Sequence, residues 1–424
     1  MVRPHNGTHL CRRGTASRVA YRRVTVPALA AALALTVLAP VSAEVNQRVT
    51  LEAAHAVTRG DGDEVLAAGT GLAELDLRSA GSRYVRGRLQ LRARVESNDP
   101  ATELEVPRAF VKARFPLTEE SYFHLTAGRT RLTWGDGAFY NAGDTLFGAL
   151  GENPDFTADT IRDETSWLAA AFFPLGRFAF VEPVVLVPLP EGAIGSGGAG
   201  SAAAAGEPAA AHDTSGGVRV QGKLGEIKSE ASYLFRGTES YHQPAVSLQG
   251  NLGIDWYAGA TTRIPGPDSR LPWDDAADAA REEAAASFGL LHIEEGTSGQ
   301  SLTLRLEGLV RPWKAWEETD ARGADAATPA TELEATDPAA VVTYGLELFG
   351  EVVWQPAQSL QFYLRQVTSP IDASGLFVPG AAWRPYDGLT LSLFAALQAG
   401  EVSDVYGWQR PGGASVATSI RYVY

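Results

Sequence analysis

From Val45 to the end of the chain, apolar residues return at every second position in short runs, and no long helical spacing interrupts them. In the last eleven residues, 414–424, Val416, Ile420, Tyr422 and Tyr424 share one parity with Thr418, while Ser415, Ala417, Ser419 and Arg421 share the other. A period of two describes a strand whose faces meet different solvents. The segment 85–96 is the clearest case: Leu89, Leu91, Ala93 and Val95 alternate with Arg86, Arg88, Gln90, Arg92, Arg94 and Glu96. Segment 106–115 repeats it, with Arg108, Lys112 and Arg114 against Ala109, Val111, Ala113 and Phe115. In 121–134, Phe123, Leu125 and Ala127 start one face, and Arg129 and Arg131 then share its parity. A bulge at Gly128 would turn both arginines to the other side.

Turn residues divide the chain into about eighteen such strands. Tight connections fall at 79–82, 116–120, 174–177, 225–226, 251–253, 296–299, 356–359 and 385–388. The long ones fall at 135–165, 188–215, 264–284 and 313–340, and each follows an odd-numbered strand. Reading 246–262 as one strand instead of two lowers the count to sixteen. A row of arginines cannot face lipid, where each charge costs ~2–4 kcal/mol near the midplane. A soluble sandwich would need an apolar inner face. No apolar run after residue 43 is long enough for a membrane helix, and a closed sheet is the other structure that satisfies its backbone in lipid. The expected fold is all-β: a transmembrane antiparallel up-and-down β-barrel over 44–424, with short periplasmic turns and long outer loops.

Residues 1–43 read differently. Arg22 and Arg23 precede the apolar run 24–38, and Pro40-Val41-Ser42-Ala43 supplies small residues before Glu44. That is the layout of a cleaved secretory signal peptide. Cleavage would remove six arginines and no acid, taking the net charge from −14 to −20. So acidic a chain excludes nucleic acid as a partner. Cleavage also removes Cys11, the only cysteine, and with it thiol and disulfide chemistry. His55, His124, His212, His242 and His292 have no zinc-ligand spacing, and no Gly-x-Ser-x-Gly nucleophile elbow occurs. The sequence therefore gives no metal site, no cofactor and no catalytic residue.

The ending 414–424, apolar at alternate positions and stopping on an aromatic, resembles the C-terminal assembly signal of Gram-negative outer-membrane β-barrel proteins. The resemblance implies a bacterial outer-membrane location, a lipid and lipopolysaccharide environment, and contact with the barrel-assembly machinery through the last strand. The third outer connection, 135–165, is similar in position, length and acid content to the loop that general porins fold inward. The arginine rows opposite strengthen that likeness, although no short acidic signature of the porins can be aligned. The resemblance implies a passive channel for small hydrophilic solutes, not an enzyme. Arg86, Arg88, Arg92, Arg94, Arg108, Lys112, Arg114, Arg129 and Arg131 would line the pore, with Asp136, Asp144 and Asp155 facing them. Opposed charges across a wet constriction set up a transverse field that orients polar solutes. By analogy with general porins, a homo-oligomer is admitted. Two other readings stay open on the sequence: a plugged structural or adhesive barrel, and an outer-membrane barrel hydrolase.

Overall fold

The computed structural model describes residues 45–59, 65–79, 84–97, 102–118, 121–151, 154–158, 160–187, 214–267, 269, 275–296, 299–317, 343–400, 405–406 and 413–424. The expected signal peptide and most of the connections 188–215 and 313–340 lie outside the described residues.

Alternation in the sequence becomes one closed sheet. Its strands are β1 (Val45–Arg59), β2 (Val65–Ser79), β3 (Val85–Glu96), β4 (Thr102–Pro116), β5 (Tyr122–Thr130), β6 (Ser166–Pro174) and β7 (Ala179–Leu186). Then follow β8 (Ser215–Leu224), β9 (Ile227–Arg236), β10 (Tyr241–Asn251), β11 (Asp255–Thr261) and the stub β12 (Ile264–Pro265). The circuit ends with β13 (Ala285–Glu295), β14 (Ser301–Val310), β15 (Leu346–Ala357), β16 (Leu360–Ser369), β17 (Ser374–Tyr386), β18 (Leu389–Ala399) and β19 (Ala414–Val423). The stub pairs only with β10, beyond the end of β11, so the barrel wall has eighteen strands rather than sixteen. The turn 252–254 does separate β10 from β11. One short helix, α1 (Ala276–Glu282), lies in the outer connection after β12 and is capped by the Asp275 carboxylate.

Every strand pairs antiparallel with its neighbours, and β1 pairs with β19 to close the cylinder. Val49 and Tyr424 exchange two backbone hydrogen bonds at the seam, 3.0 and 2.8 Å. Closure leaves no strand edge to be satisfied by lipid. The outward side chains are apolar and exposed, among them Leu89, Val111, Leu125, Val220, Val246, Leu306, Leu393 and Ile420. This is a membrane-spanning surface.

Register decides what faces inward on β3 and β4. Gln90 pairs with Arg108 and Arg92 with Glu105, so Val106 and Pro107 together oppose Leu91. This bulge lets both Glu105 and Arg108 face the interior despite their odd spacing. The expected bulge at Gly128 does not form: β4 and β5 pair without interruption from Ala109–Arg129 to Pro116–Tyr122. Gly128 instead takes φ +123°, and a Cβ there would lie 2.1 Å from the Ala109 carbonyl oxygen. The strand bends at a glycine rather than gaining a residue. β5 also ends at Thr130, short of the expected Trp134, because the chain there leaves the wall for the interior.

The inward face departs from the expected wet, charged lining over half of the barrel. Leu168, Val184, Leu186 and Leu234 point in and pack with Trp134 and Leu146. Leu309, Phe349 and Val367 do so with Phe139, Tyr140 and Ile161. Both clusters are the protein's core, and both lie inside the cylinder.

Candidate functional site

Those clusters form because the connection between β5 and β6 folds into the barrel. Wall carboxylates hold its backbone. Glu307, with 0 % exposure, accepts from the successive amides of Ala138, Phe139 and Tyr140 at 2.9, 2.9 and 2.7 Å. Glu230 accepts from Gly135 N–H at 2.6 Å, and the Ser287 hydroxyl accepts from Ala142 N–H at 2.9 Å. Such bonds satisfy loop amides that would otherwise be buried without partners. Wall cations hold the carbonyls. Arg365 donates to Phe156 O at 2.6 Å and Ala158 O at 2.7 Å, Arg219 donates to Thr133 O at 3.0 Å, and Arg236 donates to Thr145 O and Leu146 O. The loop passes so near β11 that a Cβ on Gly259 would sit 2.9 Å from Gly143 N.

The loop also holds itself. Arg162 is buried and donates to Asp144 at 3.1 Å, to Gly148 O at 3.0 Å and to Glu164 at 3.4 Å. Burial lifts the Asp144 carboxyl, to about 6, against the Arg162 charge and the amides of Phe147 and Leu146. A second outer connection joins in. The hydroxyls of Tyr140 and Tyr406 both donate to Glu347, at 3.1 and 2.7 Å, and Arg311 pairs with the same carboxylate at 2.5 Å. Burial first, and then neighbouring charge, push both phenols up, so both stay protonated donors.

The wall groups among these sit on or beside β8 to β16, and Tyr406 lies in the connection between β18 and β19. The opposite wall, β2 to β4, carries the arginine rows. Arg88 binds Asp76 through two nitrogens at 2.8 and 2.9 Å, and Arg78 shares that carboxylate. Arg92 lies 3.0 Å from Glu74 and 3.6 Å from Glu105. Arg86, Arg94, Lys112 and Arg114 have no carboxylate within ion-pair distance among the described residues. Arg86 and Lys112 are direct cross-strand partners, two like charges side by side. Arg129 donates to Thr165 at 3.1 Å, at the loop's return to the wall.

Of the three candidate facing acids, Asp136 pairs with Lys228 at 3.1 Å, on the docked side. Asp144 is buried against Arg162 and faces no passage. Asp155 caps its own turn, accepting from Thr157 N–H at 2.8 Å and its hydroxyl at 2.6 Å. The loop acid that meets the arginine wall is a fourth, Asp163. It pairs with Arg108 and lies 3.7 Å from Arg131. Asp163 stood in the sequence as one of several loop acids. What singles it out is position, two residues before Thr165, where the loop regains the wall.

No family model matches the sequence, and no curated relative matches it. Solved structures share the fold. OccAB3 from Acinetobacter baumannii aligns with TM-score 0.52 and 8 % identity over 90 % of this chain and 99 % of its own. OpdQ from Pseudomonas aeruginosa gives 0.52 and 10 % over 90 % and 99 %. OccAB4 from A. baumannii gives 0.50 and 11 % over 91 % and 100 %. At such identity the likeness is one of fold: a closed, eighteen-stranded antiparallel barrel.

Proposed function

We propose that the protein is an outer-membrane channel for the passive diffusion of small hydrophilic solutes, with a preference for anions. One observation carries this reading. The inserted loop is held against one wall, while the opposite wall presents Arg86, Arg94, Lys112 and Arg114 without an ion-paired carboxylate among the described residues. Unpaired like charges in a confined aqueous lumen raise the local concentration of anions and repel cations. Asp163 with Arg108 and Arg131 bounds the passage where loop and wall meet. The paired arginines Arg88 and Arg92 add less net field, because Asp76 and Glu74 cancel them.

The test is planar-bilayer recording under a salt gradient. The wild type is expected to conduct and to show anion selectivity. An Arg86→Ala/Lys112→Ala/Arg114→Ala variant is expected to lose most of that selectivity while still conducting. Conduction with selectivity unchanged in the variant would remove the lining assignment.

The plugged-barrel reading is favoured by a separate observation, the two apolar clusters that bind the loop to the wall. It predicts no conductance from the folded protein at all, so the same recording separates the two.

A further inference from the structure

In one sector of the barrel the lipid-facing columns run past the strand ends into the short turns. Outward Val220 on β8 is followed in its column by Leu224, which pairs with Ile227 of β9. Outward Val246 and Leu248 on β10 lead to Leu252, and Ile254 then leads into β11. Outward Phe173 on β6 leads to Leu175, and Phe178 precedes β7. Leu224 and Leu252 are each 86 % exposed and Phe178 is 69 % exposed.

These three consecutive turns share one construction. A leucine stands before a glycine of positive φ: Leu175-Gly176 at 78°, Leu224-Gly225 at 62° and Leu252-Gly253 at 86°. Phe178, Ile227 or Ile254 follows within three residues. The glycine makes the tight reversal possible. The leucine contributes nothing to that geometry, and at 56 % exposure for Leu175 and 86 % for Leu224 and Leu252 it contributes little to packing within the chain.

Three further turns on this rim are built differently, while the β4–β5 turn carries exposed Leu117 without a glycine after it. β13 ends with exposed His292 and Glu294, and its turn holds Gly296, Gly299 and Gln300. The turn between β15 and β16 is Gln358-Ser359, and that between β17 and β18 is Asp387-Gly388. Over the latter two, the lipid face finishes in a girdle of exposed aromatics, Trp354, Phe362, Trp383 and Tyr386.

We infer that the turns β6–β7, β8–β9 and β10–β11 are immersed in the periplasmic leaflet of the membrane, and that the barrel is seated deeper on that side. The occupant is lipid because each exposed leucine continues a column that already faces lipid; the polar residues of these stretches, Gln221, Lys223, Gln249 and Asn251, fall on the other parity, and the exposed charges at the turns, Arg177 and Glu226, belong at the level of the headgroups. Asn251 is turned aside, its amide bonded to Asp255 at 2.6 Å. Lys223 lies on the inward parity, opposite Lys228. A hydrophobic belt that is lower on one side is matched by tilting the cylinder.

Depth measurements test this. In a Cys11→Ser background, single fluorophores are placed at Leu224→Cys, Leu252→Cys, Gln300→Cys and Ser359→Cys, and the protein is folded into phosphatidylcholine vesicles. Labels at 224 and 252 are expected to be blue-shifted and quenched severalfold more by shallow doxyl-lipid than by aqueous iodide. Labels at 300 and 359 are expected to show the reverse order. Equal iodide quenching at all four sites would overturn the inference and leave these tips as a docking face for a periplasmic protein. An unlabelled Leu175→Ser/Leu224→Ser/Leu252→Ser variant gives a second reading. Its insertion into vesicles is expected to slow severalfold, with single-channel conductance of the folded fraction unchanged. Insertion at the wild-type rate would count against the immersed seat.

Discussion

A buried carboxylate is costly unless it is fully partnered, and Glu307 is partnered by three consecutive amides of the inserted loop. Bonds of this kind are worth about 1.5–3 kcal/mol each. Arg162 plays the same part within the loop. Its ion pair with Asp144 leaves both side chains no more than 3 % exposed. An Arg162→Met variant would strand a buried charge, at a cost of about 3–5 kcal/mol to the folded loop. The expected outcome is a loop cut rapidly by protease under native conditions in a barrel that is still folded; a loop as resistant as wild type would contradict the role. Asp163→Asn acts on the passage instead. Freeing Arg108 and Arg131 of their carboxylate is expected to move the reversal potential toward stronger anion selectivity, by a few millivolts to a few tens at a tenfold gradient. A shift toward cations would place Asp163 outside the field. The inward acids were visible as alternating positions: Glu307 shares its parity with Leu309, and Glu347 with Phe349. Their work as clamps was not visible, because nothing in a strand's own sequence states what will lie across from it.

At the scale of elements, the outer turn between β16 and β17 ties down the last outer connection. Asp372 accepts from Val405 N–H at 2.9 Å, and from the hydroxyl and N–H of Ser374 at 2.8 and 3.2 Å. Burial would lift this carboxyl, but hydrogen bonds from Val405, Ser369 and Ser374 hold it below the usual carboxylate range. A group depressed in the folded state stabilises it above the unfolded pKa, about 3.9, and loses that contribution as pH falls through the folded value. Hydrogen-exchange protection at Val405 and Tyr406, corrected for intrinsic rates, is therefore expected to hold from pH 7 to 5 and to drop in stronger acid. Asp372→Asn should abolish that step; protection flat in acid for the wild type would refute the tether. The strands themselves were legible from alternation and from turn residues, down to the split at 252–254. Two features were not. The β3–β4 bulge depends on which residues pair across strands, and the bend at Gly128 depends on the nearness of Ala109 O, and neither is a property of one strand alone.

The whole molecule is one circuit of hydrogen bonds, closed where the first and last strands meet. β1 and β19 pair over nine positions, from Thr50–Val423 to Thr58–Ser415. Removing 420–424 would leave the lower half of β1 facing lipid with open N–H and C=O groups, each costing several kcal/mol. The truncated chain is expected not to reach a protease-protected barrel in vesicles; a stable, protected product would show that closure at the seam is dispensable. Period-two alternation and turn chemistry are local, since they depend on residues two to four apart, and so the sequence by itself determined a closed antiparallel barrel of sixteen to eighteen strands and the inward direction of the arginine rows of β3 and β4, while the pairing of the stub β12 outside the wall settled eighteen. Only the tertiary structure decided that the third outer loop enters the lumen along β7 to β16, that Asp144 is buried while Asp163 meets Arg108, and that Arg86, Arg94, Lys112 and Arg114 form no ion pair among the described residues. Those facts rest on groups brought together across the chain, 55 residues apart for Asp163 and Arg108 and 169 for Glu307 and Ala138, and distance in space along a closed sheet is not written in any one stretch of chain.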